Sequence, residues 1–173
     1  MRQPPHTSAD QGATSPAAGV GLYAAFLVAG RRFAVPAADV AEVLRDGRVN
    51  TVPRAPESLA GLLNLRGRIV PVINLQTRLG LTPPSDHEGP ATVHLVLQAT
   101  EEWCSLLVDE ILDVVEIPDS GFEPVVAQQP TDATDATRAV HAGEDGLLYL
   151  LDVKQVLRPT SRSRPAPSLP SAP

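Results

Sequence analysis

Cysteine and histidine, the side chains that most often serve as thiol nucleophile, general base or metal ligand, are few in this chain. The chain has one cysteine and four histidines: Cys104, His6, His87, His94 and His141. A nucleophilic thiol needs a base beside it, and His94 is the histidine nearest to Cys104 in sequence. Nothing in the sequence brings these two together. Because Cys104 lies in the apolar run 103–108, we expect a small buried hydrophobic side chain rather than a nucleophile.

The sequence also lacks the spacings that mark a catalytic or cofactor site. No histidine stands at zinc-ligand spacing from a cysteine or a carboxylate. It has no phosphate-binding GxxxxGK[S/T] or GxGxxG run and no GxSxG turn. The adjacent carboxylates at 109–110 and 144–145 fall where turns are predicted, which favours solvated side chains. We therefore expect no enzyme activity, no metal and no cofactor.

The clearest arrangement is a pair of arginines in the segment SLAGLLNLRGRIVPVINL, residues 58–75. Two short apolar runs flank Arg66-Gly67-Arg68, and such runs around a turn signal predict buried strands rather than a helix. Gly67 lets the backbone turn without a steric penalty. Pro71 marks an edge, a bulge or a break, because it donates no ladder hydrogen bond. The pattern predicts a β-hairpin that presents arginine at its tip, to solvent or to a partner.

The rest of the chain predicts an all-β framework for this hairpin. Between residues 21 and 157 we count roughly ten short strands separated by Gly and Pro turns, with only short helical pieces, as in a sandwich or barrel. The polar segment 81–90 contains three prolines and predicts a break between two β units of similar size. Residues 124–137 predict a mobile connection. The Pro- and Ser-rich ends, 1–20 and 158–173, are predicted to be disordered.

Composition limits the classes of partner. The chain carries 14 basic and 20 acidic residues, a net charge of −6, whereas a nucleic-acid backbone requires a basic face. Aromatic residues make up only 3%, so we expect an aliphatic core. No run reaches the roughly 18 apolar residues of a membrane helix, and the N-terminus lacks the apolar region of a secretory signal. A cytoplasmic protein with no nucleic-acid partner and no membrane insertion is expected.

Several segments, in order, resemble the CheW family of chemotaxis coupling proteins. The central stretch GLLNLRGRIVPVINL resembles the signature of that family. The other matching segments are FAVPAADVAEVLR (33–45), VPRAPESLAGLLNLRG (52–67), LLVDEILDVVEI (106–117) and GLLYLLDVKQVL (146–157). Together they cover roughly residues 21–157, and four motifs in the right order make the resemblance specific.

The resemblance implies two five-stranded SH3-like β-barrel subdomains around a shared apolar core, with a few short helices. It also implies a non-enzymatic adaptor that joins the cytoplasmic tip of methyl-accepting chemoreceptors to the regulatory domain of a CheA-type histidine kinase. Such a protein would be recruited to membrane-associated receptor arrays. Its long ends and the 124–137 connection exceed a minimal coupling protein and suggest a specialised pathway, such as pilus or surface motility.

Five positions are carried over from the family as partner-binding residues: Arg66, Glu42, Val40, Gly61 and Asn64. We expect Glu42 and Arg66 to approach each other on the first barrel and to organise its contact surface. An exposed ion pair contributes only about 0–1 kcal/mol, so its role would be orientation and specificity. Val40 fits a core residue equally well.

One departure from the family and three alternatives accompany this assignment. Family members commonly carry Asp-Leu-Arg where this chain has Asn74-Leu75-Gln76, although Asn74 still predicts the cap of a short helix that Gly80 closes. One alternative is a stand-alone regulatory module of another two-component pathway. A small-barrel nucleic-acid binder would show salt-sensitive oligonucleotide binding, which the acidic balance disfavours. An enzyme comes last.

Overall fold

The computed structural model describes residues 19–82, 93–99, 102–125 and 135–158. The predictions of disorder for the two ends fall almost wholly outside these ranges, as does most of the predicted 124–137 connection. Within the described part of the chain, no helix is both long and apolar enough to cross a membrane.

Twelve strands in these ranges form two sheets of six. The first sheet contains β1 (Val20–Val28), β2 (Arg31–Pro36), β9 (Glu110–Pro118), β10 (Glu123–Pro124), β11 (Thr137–Gly143) and β12 (Gly146–Leu151). The second contains β3 (Val40–Leu44), β4 (Val49–Asn50), β5 (Leu59–Leu65), β6 (Arg68–Asn74), β7 (Val93–Ala99) and β8 (Glu102–Val108). Two short helices, α1 (Leu75–Arg78) and α2 (Val153–Leu157), follow β6 and β12, and single 3₁₀ turns occupy Ala37–Asp39 and Asp119–Gly121. The predicted all-β class is confirmed.

Several strands that are neighbours in a sheet are not consecutive in the sequence. It is β10-β11-β12-β2-β1-β9 in the first sheet and β3-β7-β8-β6-β5-β4 in the second. Neighbouring strands are antiparallel except for β12 beside β2 and β6 beside β8, which are parallel. Both termini of the described chain therefore lie in the first sheet, while its middle forms the second.

Residues 81–90 do not separate the two β units, contrary to the sequence prediction. The strands on either side of this segment, β6 and β7, belong to the same sheet. The parallel β6–β8 pair requires a crossover connection between these two strands, since parallel neighbours cannot be joined by a tight turn. Each sheet also has six strands where five were expected, and the added strand in each, β4 or β10, spans two residues.

The principal core lies between the two sheets. Alternate residues of each strand point to opposite faces, so one face of each sheet supplies this core. Its fully buried members include Phe26, Phe33, Leu95, Leu97 and Leu106. A smaller cluster of Ala25, Ala34, Ile117 and Leu148 lies on the other face of the first sheet. Apart from Phe26, Phe33 and Cys104, the buried hydrophobic side chains of the described residues are aliphatic, as the composition predicts.

The two helices are tied together by a buried arginine. Arg78, in the last turn of α1, donates from Nε to the carbonyl oxygen of Val156 (2.8 Å) and from Nη2 to that of Gln155 (2.5 Å). These carbonyls end α2, where a positive charge is favoured by the helix dipole. The predicted cap of α1 is confirmed, because Asn74 Oδ1 accepts a hydrogen bond from the Thr77 amide at 3.0 Å. Gly80 adopts the left-handed conformation expected after the helix, with φ of 61°.

Candidate partner-binding surface

The β5–β6 hairpin closes through a two-residue turn, as its sequence predicts. Leu65 pairs with Arg68, and between them Arg66 and Gly67 have φ values of 52° and 87°. Positive φ at both central positions is the feature of a type I′ turn, whose twist matches that of the flanking strands. Asn64 fixes the turn by accepting a hydrogen bond from the Gly67 amide at its Oδ1 atom (2.8 Å). The guanidinium of Arg66 therefore extends from a defined backbone into solvent.

Arg66 meets Glu42 across the second sheet. Its Nη2 atom lies 2.9 Å from Oε1 of Glu42, and the two side chains are 81% and 26% exposed. Glu42 belongs to the edge strand β3, whereas Arg66 lies at the tip of two strands on the far side of β7 and β8. The expected approach of these residues is thus observed, although on the sheet formed by the middle of the chain rather than on a barrel formed by its first half.

A groove opens beside this ion pair. It has a volume of about 620 Å³ and is lined by residues 65–68, by Ala41 and Glu42 of β3, and by Trp103 of β8. The Arg68 guanidinium lies over the Trp103 indole, 4.6 Å from the ring centroid. Ile69, the next residue of β6, is 60% exposed. The sequence marked Arg68 as a turn residue but gave no sign of Trp103, because 35 residues separate the pair and no local pattern links them.

Two of the five carried-over residues lie away from this surface. Gly61 is buried within β5 with φ of 151°, and a Cβ atom there would collide with the carbonyl oxygen of Asn50 in β4. Its role in the fold is to allow this close approach of two backbones. Val40 pairs with Leu97 and packs, partly buried, against the principal core. Glu42, Asn64 and Arg66 are the three that the structure brings together.

Cys104 and His94 do not form a catalytic pair. Cys104 is buried in the principal core, and burial, with a smaller effect from the charge of Glu102, raises the pKa of its thiol to about 12. His94 Nδ1 lies 3.0 Å from the hydroxyl oxygen of Ser105. Since Ser105 and Cys104 are consecutive in β8, they point to opposite faces of the sheet. The expectation that Cys104 is a buried side chain is confirmed.

The structure shows that His94 is buried, which the sequence did not predict. Burial lowers the pKa of its imidazole, and a hydrogen bond with the backbone of Gly47 opposes that effect only in part. The His94 side chain and Ser105 are both shielded from solvent, so a substrate has no access to them. In the described ranges, no group of three or more His, Cys, Asp or Glu side chains is placed to hold a metal ion.

A two-sheet β protein with a preorganised charged turn beside an open groove belongs to the class of protein-interaction modules. A family model described as the CheW-like domain matches residues 23–160. The chain therefore belongs to the CheW family, and the resemblance drawn from its sequence motifs is confirmed.

Individual relatives agree with this assignment. The chain is 28% identical to the chemotaxis protein CheW of Bacillus subtilis over 144 residues, covering 82% of this chain and 90% of the relative. It is 29% identical to the protein FrzA of Myxococcus xanthus over 140 residues, covering 80% and 86% respectively. The crystal structure of the scaffolding protein TtCheW from Thermoanaerobacter tengcongensis superposes with a TM-score of 0.68 at 24% identity, covering 76% of this chain and 88% of that one. The assignment of the chain as a scaffold in chemotaxis or motility signalling is confirmed.

Proposed function

We propose that this chain holds the regulatory domain of a CheA-type histidine kinase and the cytoplasmic tip of a methyl-accepting chemoreceptor in a fixed relative geometry, without catalysing a reaction. The observation that carries the proposal is the Glu42–Arg66 pair on a rigid type I′ turn beside an open groove. In this proposal the protein acts in the cytoplasm, at receptor arrays on the membrane.

The kinase regulatory domain is assigned to the turn surface, which consists of Glu42, Arg66 and the groove beside them. Glu42 orients the Arg66 guanidinium, and the Asn64–Gly67 hydrogen bond fixes the backbone from which it extends. Because these groups are held in place before binding, less conformational entropy is lost when the partner binds. The ion pair itself adds only about 0–1 kcal/mol to stability because it is exposed. Its contribution is therefore expected in affinity and specificity.

The receptor tip is assigned to an apolar strip on the first sheet. Val20 and Leu22 of β1 are 62% and 54% exposed, and Val114 of β9 is 58% exposed. Val114 pairs with Ala24, which places these side chains on one face of the two strands. This is the face that supplies Ala24 and Phe26 to the principal core. An exposed apolar strip that continues a core face suits the apolar side of a helical partner.

Substitution of Arg66 by Glu tests the kinase assignment. We expect Arg66→Glu to weaken binding of the kinase regulatory domain at least about tenfold, since it opposes Glu42 with a like charge and removes the guanidinium. Calorimetric titration measures the affinity, and thermal melting should show an unchanged fold. Arg31→Glu, the same change at an exposed arginine of the first sheet, is the control. Equal affinity of the Arg66 variant and the wild type, together with unchanged kinase phosphorylation, would contradict the assignment.

A further inference from the structure

We propose that Arg68 and Trp103 form a carboxylate-binding platform within the groove, which accepts an acidic side chain from the docked kinase regulatory domain. This inference rests on the proposed function, because it concerns the same surface and partner. It adds a second contact to the Glu42–Arg66 turn and states the chemistry of the partner residue that occupies the groove.

The position of Arg68 over the Trp103 ring suits such a contact. Its guanidinium carbon lies 4.6 Å from the centroid of the Trp103 ring, within the range of a cation–π interaction. A guanidinium whose flat face rests on an aromatic ring keeps its N–H groups available at the edge of the plane. Those N–H groups match the two oxygens of a carboxylate in a bidentate arrangement.

The charges of the groove leave Arg68 in need of a counter-charge. Glu42, the carboxylate of the described groove lining, is already paired with Arg66. Among the residues that the structure describes, the groove lining thus carries two arginines and one carboxylate. This local positive charge lies on a chain whose net charge is −6. Attraction at the groove is therefore specific to an acidic group placed at that position, rather than a property of the whole surface.

The apolar rim of the groove defines the surroundings of that acidic group. Leu65 and Trp103, the large apolar members of the groove lining, are both half-buried. Tryptophan and arginine are the residue types most often found at the energetic centre of protein interfaces. The occupant is accordingly an aspartate or glutamate flanked by apolar side chains, in which the apolar neighbours exclude water from the charged contact.

Trp103 provides a direct measurement, because it is the only tryptophan of the chain. A purified CheA-type regulatory domain is titrated into the full chain while tryptophan emission is followed. The same titration with Trp103→Phe supplies the partner's own signal as background. We expect a change in Trp103 emission on binding. Arg68→Gln should weaken binding about tenfold or more, because it removes the charged hydrogen-bond donors of the platform. It should also make affinity less sensitive to salt. Arg31→Gln, with the same loss of charge elsewhere, should bind as the wild type does.

Charge reversal identifies the partner residue. Arg68→Glu should bind weakly, and one Asp→Lys or Glu→Lys substitution on the regulatory domain should restore its affinity. If Arg68→Gln binds like the wild type while Arg66→Glu still weakens binding, the platform is refuted and the proposed function stands. If the wild-type chain does not bind the regulatory domain, both are refuted.

Discussion

Arg66 combines an uncommon backbone conformation with an exposed charge. Residues other than glycine rarely adopt positive φ, and Asn and Asp tolerate it best. The turn keeps an arginine at this position, with φ of 52°, although a smaller residue would close the same hairpin. The side chain contacts Glu42 and otherwise extends into solvent. The exposed guanidinium is therefore available for the partner contact proposed above.

Two substitutions of Arg66 separate folding from binding. Arg66→Asn should leave the melting temperature nearly unchanged, because asparagine adopts the left-handed conformation readily. It should still weaken kinase-domain binding, because it removes the guanidinium, although less than Arg66→Glu does. Arg66→Val should lower the free energy of unfolding by about 1–2 kcal/mol, because a β-branched residue is strained at positive φ. Urea denaturation and binding titration measure the two effects. A large stability loss in Arg66→Asn would mean that the side chain serves the fold.

His94 predicts a dependence of stability on pH. Because burial lowers its folded-state pKa below the ordinary value of 6.5, the unfolded chain takes up a proton first as the pH falls. The free energy of unfolding should therefore decline below about pH 6.5 and continue to decline toward the folded-state pKa. Urea denaturation between about pH 7.5 and about pH 5.5 should show a steeper decline for wild type than for His94→Gln. Identical slopes would refute this role of His94.

Among the structural elements, the β5–β6 hairpin is formed by residues close in sequence, whereas the α1–α2 contact joins residues far apart in sequence. The hairpin is local: its strands, its turn and its Asn64 hydrogen bond all lie within residues 59–74. The α1–α2 contact joins residues nearly 80 apart, through hydrogen bonds from buried Arg78 to the last turn of α2. The first arrangement can be predicted from a short segment, whereas the second requires the completed fold.

Arg78 should hold the C-terminal helix in place. Arg78→Met keeps a long apolar stem but leaves the carbonyl groups of Gln155 and Val156 without their donor. We expect a loss of about 2–3 kcal/mol in the free energy of unfolding, together with faster hydrogen exchange in α2. Arg138→Met, the same change at an exposed arginine, should alter neither quantity by a comparable amount. Unchanged exchange in α2 would show that the contact contributes little.

In the molecule as a whole, the two sheets share one core and carry separate proposed contact surfaces. Side chains of both sheets form the principal core, so displacement of one sheet perturbs the packing of the other. The turn surface lies on the second sheet, and the Val20–Leu22–Val114 strip lies on the first. This arrangement suits a scaffold, because two partners bound to one tightly packed body keep a fixed relative position.

Substitutions on the two surfaces should have separable effects. Leu22→Asp should weaken binding of a receptor-tip fragment roughly tenfold or more, since it removes an apolar side chain that the contact would bury. Leu22→Asp should not change affinity for the kinase regulatory domain. Arg66→Glu should weaken binding of that domain and leave binding of the receptor-tip fragment unchanged. Leu147→Asp, at another exposed leucine of the first sheet, is the control. Loss of both partners in either single variant would contradict two independent surfaces.

The sequence by itself determined the short-range features. The apolar runs around Arg66-Gly67-Arg68 defined the hairpin, Asn74 defined the start of α1, and the apolar setting of Cys104 defined its burial. The ordered motifs identified the family. The hairpin, the start of α1 and the burial of Cys104 each depend on neighbours within a few residues, where hydrogen bonding, side-chain alternation and backbone conformation have fixed local patterns.

The tertiary structure decided the long-range features. Which strands share a sheet depends on pairing between distant segments, so the polar segment 81–90 gave a false boundary. The stack of Arg68 on Trp103, the contact of His94 with Ser105 and the burial of Gly61 against β4 arise only once those strands are placed. Local composition does not encode these contacts, because the groups involved become neighbours only through the packing of the whole chain.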